Sequence, residues 1–142
     1  MHMSIDKELI NRKITLITSD LKSLKVLSKL SLKTYLSKSE HEALAERYLE
    51  RIIGRMIDIN YHVLSEKENE IPTDFYNSFI KMGRKKYLTV KFAETMANSA
   101  GLRNRLAHEY DEIDPKKVFQ SIESCLKDVP KYLKSIVRSL DL

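Results

Sequence analysis

Apolar residues along the first part of the chain step by three and four. Ile10, Ile14, Ile17, Leu21 and Leu24 draw one stripe down a helix expected over residues 6–30. Leu44, Tyr48, Leu49, Ile52, Met56, Ile59 and Val63 repeat that spacing and predict a second helix over residues 39–64. Gly54 lies inside it at a cost of about 1 kcal/mol relative to alanine, which suggests a close helix crossing. Residues 31–38, between the two stripes, are mixed in character and fit no period. A charged loop over residues 66–71 ends in Pro72, and Thr73 or Asp74 can cap a short helix to about Met82, with Gly83 as its stop. Thr89 can cap a fourth helix whose core side holds Phe92, Met96, Ser99, Leu102 and Leu106. Asp114-Pro115 joins an N-cap residue to proline at the first helical position. The helix it starts runs to the C-terminus through Val118, Ile122, Leu126, Leu133 and Val137, with Pro130 expected to bend or split it.

No strand-like alternation interrupts this pattern. It predicts an all-α bundle of about five helices, antiparallel because the connections are short, in a single domain over residues 1–142. Residues 1–5 are expected to be flexible or vector-derived, since a second methionine stands at position 3, and His2 is given no role.

Composition narrows the class. With three glycines and three prolines, long helices are favoured over many turns. Hydrophobic residues at 42% and charged residues at 32% describe an ordinary soluble balance without a disorder signature. The net charge of +5 leans toward an anionic partner. Cys125, a single cysteine, cannot form an internal disulfide, which fits a reducing cytoplasm. It lies in an amphipathic run, where a structural thiol is expected rather than a nucleophile. No apolar run has the length to span a membrane, and the start lacks a signal-peptide core.

The chemistry concentrates in Arg103-Asn104-Arg105-Leu106-Ala107-His108-Glu109-Tyr110. Arginine keeps its charge at any working pH and grips phosphate oxygens in a bidentate fork. Histidine can take and give a proton near neutrality. Together they suit phosphodiester cleavage without a metal. On an ideal helix Arg103 and His108 stand roughly 140° apart, so they converge only if the helix loosens between them. Asn104 and His108, four apart, lie side by side. Spacing alone leaves a plainer reading open, with Arg103 and Glu109 as solvated charges and His108 as a cation favoured by the helix C-terminus. Arg55 and His62 also fit a loose arginine-spacer-histidine pattern, but Met56 follows Arg55 in mid-helix. Arg103 is followed by an amide, and His108 by a tyrosine two places on.

The run Arg103-Asn104-x-Leu106-Ala107-His108-x-Tyr110 resembles the signature of HEPN-domain ribonucleases, specifically HepT-like toxins of prokaryotic toxin–antitoxin pairs. Residues 45–49 with 56–62 look like that family's second helix, and Pro72-Thr73-Asp74-Phe75-Tyr76 like its third, so the likeness covers about residues 7–140. The resemblance implies a HEPN-like bundle and a metal-independent endoribonuclease in which the RNA 2′-OH attacks the phosphate, giving a 2′,3′-cyclic phosphate and a 5′-OH. His108 would be general acid or base, Arg103 would neutralise developing charge, and Asn104 would orient the histidine or the phosphate. It also implies a homodimer with a composite cleft, which makes chemical sense because one histidine cannot easily serve as both acid and base. The partner implied is an MntA-like nucleotidyltransferase antitoxin that attaches AMP to Tyr110; the plainer reading of that residue is a half-buried aromatic packing the turn, and the two are compatible. No cofactor and no metal ligand set are expected, because the four histidines are scattered.

Arg84, Lys85, Lys86, Lys91 and Arg105 are candidates for holding RNA backbone, or a solvated basic surface. Arg47 and Asp58 are candidates for supporting the site or an interface, or for a structural ion pair in the bundle. The spacing of Asp58 and His62 favours a local pair. The alternative from another class is a non-catalytic HEPN-like module that binds nucleotides or regulates a nucleotidyltransferase partner. A purely structural helical adaptor is the third.

Overall fold

A computed structural model describes residues 5–108 and 113–142. Six helices and no strand are present among them: α1 Lys7–Ser28, α2 Leu32–Leu36, α3 Ser39–Glu68, α4 Phe75–Arg84, α5 Val90–His108 and α6 Pro115–Leu140. The all-α bundle expected from the sequence is the one observed, with the short α2 added where no period was legible. Ser31 caps α2 by accepting from the Thr34 N–H, and its Tyr35 is wholly buried against Phe119 of α6, with ring centroids 4.6 Å apart. Tertiary burial makes this turn helical.

α3 is the central element, 30 residues long and packed against each of the other five helices. It ends at Asn69, whose φ of 52° places it in the left-handed region that asparagine tolerates. Pairings between α1 and α3 run in opposite order along the two chains. The Asp6 N–H donates to His62 Nε2 at 3.1 Å, Lys13 pairs with Asp58 at 3.1 Å, and Asp20 meets Arg51 and Arg55. The two helices are therefore antiparallel. His62 thus meets the residue that caps α1 and Asp58 a lysine within it, and the local pair expected between them is not formed.

Three caps follow the sequence. Asp74 accepts from the Asn77 N–H at 2.7 Å, Thr89 from Phe92 at 3.2 Å, and Asp114 from Lys116 at 3.0 Å. Both glycine expectations are corrected, and of the two outcomes expected at Pro130 one is ruled out. Pro130 does not split α6, which runs through it as one helix; the proline is exposed, where a carbonyl left without its helical partner can turn to water. Gly83 does not stop α4 but sits in its last turn, where an added Cβ would lie 2.6 Å from Ala93 Cβ. It is the point where α4 and α5 cross closely, helped by buried Ala93, Ala97 and Ala100 on α5. Gly54, expected at such a crossing, has nothing within 4 Å of the position a Cβ would take.

Inside the bundle a short polar chain joins three helices. The Asn60 amide donates to Ser78 Oγ at 3.1 Å, while the Tyr132 hydroxyl donates to Asn60 Oδ1 at 2.6 Å. Ser78 Oγ in turn donates to the Phe75 carbonyl at 2.7 Å. The two glycines should respond oppositely to alanine. Gly83→Ala is expected to destabilise by about 1–3 kcal/mol through overpacking, and Gly54→Ala to stabilise by up to about 1 kcal/mol through helix propensity. Thermal melts of the two variants beside wild type check both signs.

Candidate active site

Arg103 lies near the C-terminal end of α5 and is half-buried. Its guanidinium carbon stands 5.3 Å from the centroid of the Phe75 ring, a cation–π contact. Its Nε is buried and has no hydrogen-bond partner among the described residues. Phe75 is fixed as the first residue of α4 by the Asp74 cap and by the bond from Ser78 to its carbonyl. The arginine is therefore held on a platform registered to the core, unlike a solvated surface charge.

Arg103 and Phe75 form one wall of a cleft of about 260 Å³ whose other wall is α3, with Arg51, Gly54, Arg55 and Asp58. Arg51 and Arg55 are held by one oxygen of the buried Asp20 on α1, at 3.2 and 2.7 Å. Neither Asp20 nor Phe75 carries a signal of chemistry in the sequence. Arg55, set aside there as a false match, joins Arg103 in one cleft. The legible signal was the spacing of Arg47, Arg51 and Arg55, like charges four apart that disfavour a helix unless something answers them.

Asn104 and His108 are exposed on α5, which remains helical through His108. Because the helix does not loosen after Arg103, one copy of the chain presents Arg103 and His108 on faces roughly 140° apart. Glu109 and Tyr110 lie outside the described residues. Arg105 faces away from the Arg103 cleft and lines a groove with Leu102, Ile113 and Lys117. Arg84, Lys85 and Lys86 are exposed at the far end of the α4–α5 pair, roughly 20 Å along α5 from Arg103. Lys85 pairs there with Glu70 at 3.4 Å. Arg47 is exposed with no ion-pair partner among the described residues, and Asp58 pairs with Lys13, so the two do not pair with each other.

A larger groove of about 320 Å³ opens between α3, α5 and α6, floored by Leu49, Ile53, Met56 and Met96 and reaching Cys125. Burial, with Asp128 nearby, pushes the Cys125 thiol up to about 12. Among the described residues no three histidine, cysteine or acidic side chains come together as a metal-binding group. No helix among them is long and apolar enough to cross a membrane.

Comparison with known proteins identifies the fold and the family. The bundle matches the Shewanella oneidensis HEPN toxin, solved tri-AMPylated and in complex with MNT antitoxin, at a TM-score of 0.83 and 21% identity, covering 92% of this chain and 98% of that one. The class is thus a HEPN-fold protein. The Ribonuclease HepT-like family profile matches residues 12–136. The chain is 39% identical over 133 residues to the tRNA nuclease HepT of Aphanizomenon flos-aquae, covering 94% of this chain and 90% of that protein. It is 25% identical over 88 residues to the mRNA nuclease HepT of Shewanella oneidensis, covering 62% of this chain and 66% of that protein. The chain belongs to the Ribonuclease HepT-like family.

Cys125 should behave as a structural thiol. At pH 8 the folded protein is expected to hold roughly one-thousandth the thiolate of a free cysteine. Iodoacetamide labelling followed by mass spectrometry should therefore be slow until urea unfolds the chain. Rapid labelling of the folded protein would contradict this.

Proposed function

We propose that this chain is the toxin of a toxin–antitoxin pair, an endoribonuclease that needs no metal, restrained by a nucleotidyltransferase antitoxin. The observation that carries the reading is Arg103, a half-buried guanidinium on an aromatic platform, with an orphan Nε, in a cleft shared with two further arginines. Such a group is built to meet an anion. The identity with a named tRNA nuclease over nearly the whole chain supports RNA as that anion.

RNA carries its own nucleophile, so the reaction asks for a proton acceptor, a proton donor and a cation. His108 takes the 2′-OH proton, the 2′-oxygen attacks phosphorus, and Arg103 neutralises the charge gathering on the non-bridging oxygens. The 5′-oxygen leaves with a proton given by a second, protonated copy of His108 across the composite cleft, and the products are a 2′,3′-cyclic phosphate and a 5′-OH. Asn104, one turn before His108, orients the imidazole or the phosphate. Because Arg103 and His108 lie on different faces of an unbroken α5, the proposed catalyst is a homodimer in which one protomer's histidine complements its partner's arginine. Tyr110 is the proposed site of AMP attachment, a reading supported by the tri-AMPylated state of the Shewanella protein. Negative charge and bulk two residues from His108 would exclude RNA.

In EDTA, wild-type protein is expected to cut a mixed RNA pool into fragments ending in cyclic phosphate. Arg103→Ala and His108→Ala should each lower the rate by about 10²–10⁴-fold. Arg103→Lys should not restore it, since an ammonium lacks the planar fork. Cleavage unaltered by these substitutions would refute the assignment. Incubation with the antitoxin and ATP should add whole AMP units to wild type, read by intact mass, and none to Tyr110→Phe.

A further inference from the structure

We propose that Arg51 and Arg55, with Gly54 between them, form a second phosphate-binding position for the RNA strand beside Arg103. This rests on the ribonuclease reading above. The two guanidiniums sit one helical turn apart on the cleft wall opposite Phe75, and one buried carboxylate orients both. Asp20 is 4% exposed; its Oδ2 accepts a hydrogen bond from Arg55 Nη1 at 2.7 Å and forms an ion pair with Arg51, whose Nε lies 3.2 Å away. An arginine has five N–H donors, so this grip leaves each side chain most of its hydrogen-bonding capacity. The cleft also contains Glu50 and Asp58, the latter paired with Lys13. Counting Asp20 and Lys13 with these groups, positive charge still exceeds negative by one.

Stability alone does not explain the arrangement. Like charges four apart on a helix repel, and drawing two arginines toward one buried carboxylate costs solvation that the pairing recovers only in part. Gly54 points the same way. It lies in mid-α3, lines this cleft, and has no neighbour within 4 Å of where a Cβ would stand. No helix crossing demands it, so its retained cost is explained by something that approaches the backbone there, and a sugar–phosphate strand fits. Across the cleft Arg103, whose buried Nε has no partner among the described residues, supplies a third guanidinium. The strand would therefore lie with its scissile phosphate at Arg103 and a neighbouring phosphate between Arg51 and Arg55.

The test uses full-length protein carrying His108→Ala, so that RNA is bound without being cut, and a fluorescent single-stranded RNA titrated at several salt concentrations. Adding Arg51→Ala should weaken binding about 5–20-fold and lower the slope of log affinity against log salt by about 0.7, the value for one phosphate contact on a single strand. Adding Gly54→Ala should weaken binding at least about threefold while melting no lower than its parent, which separates contact with RNA from support of the fold. Affinity and salt slope unchanged in both variants, with wild type still cutting RNA, would overturn the second site and leave the Asp20 cluster as a tie between α1 and α3. If wild type neither binds nor cuts RNA, the ribonuclease reading falls and the site falls with it.

Discussion

The side chain of Asn60 is wholly buried on the central helix, which packs against all five others, and it must be satisfied there. It donates to Ser78 and accepts from Tyr132, so the register of α3, α4 and α6 is decided by polar geometry as well as by apolar burial. A slip of any one helix would strand an amide or a hydroxyl in the core, which costs more than a poorly packed methyl group. Ser78 passes the constraint outward through its bond to the Phe75 carbonyl. The ring that carries Arg103 is in this way positioned by an amide in the centre of the bundle.

The sequence predicted the long helices and their caps because both are local. Stripes with period 3.6 mark α1, α3 and α6, and Asp74, Thr89 and Asp114 bond to backbone amides two or three residues away. Where tertiary contact decides, local reasoning failed. α2 is too short to show a period and is held by the burial of Tyr35. Gly83 takes the close crossing expected of Gly54, because the nearness of another helix is not written in a residue's own neighbourhood. The site divides in the same way. Arg103 and His108 stand out through their motif, whereas Arg51, Arg55 and Phe75 enter only when α3 and α4 are folded against α5. Tyr110 belongs to the legible part and lies outside the described residues.

Several features around the Arg103 cleft run against what stability alone would select. Two arginines share one carboxylate, a third on a ring face keeps a nitrogen without a partner among the described residues, and a glycine weakens the longest helix without a packing reason. Each can be tolerated because the opposite side of α3 is densely apolar, with Ile52, Met56, Ile59 and Val63 wholly buried. Local conflict of this kind concentrates where a protein meets its ligand. For the arginines the conflict is electrostatic, and an anion in the cleft would resolve it.

The unbroken course of α5 through His108 has a consequence for dosage. A single copy turns its guanidinium and its imidazole to different sides, so the proposed chemistry requires two copies to meet. At concentrations below the dissociation constant of that pair, the active species grows with the square of the amount of protein. Halving the supply then quarters the damage, and doubling it quadruples the damage. A cell holding such a protein faces a threshold, and stray synthesis of a few molecules is nearly silent.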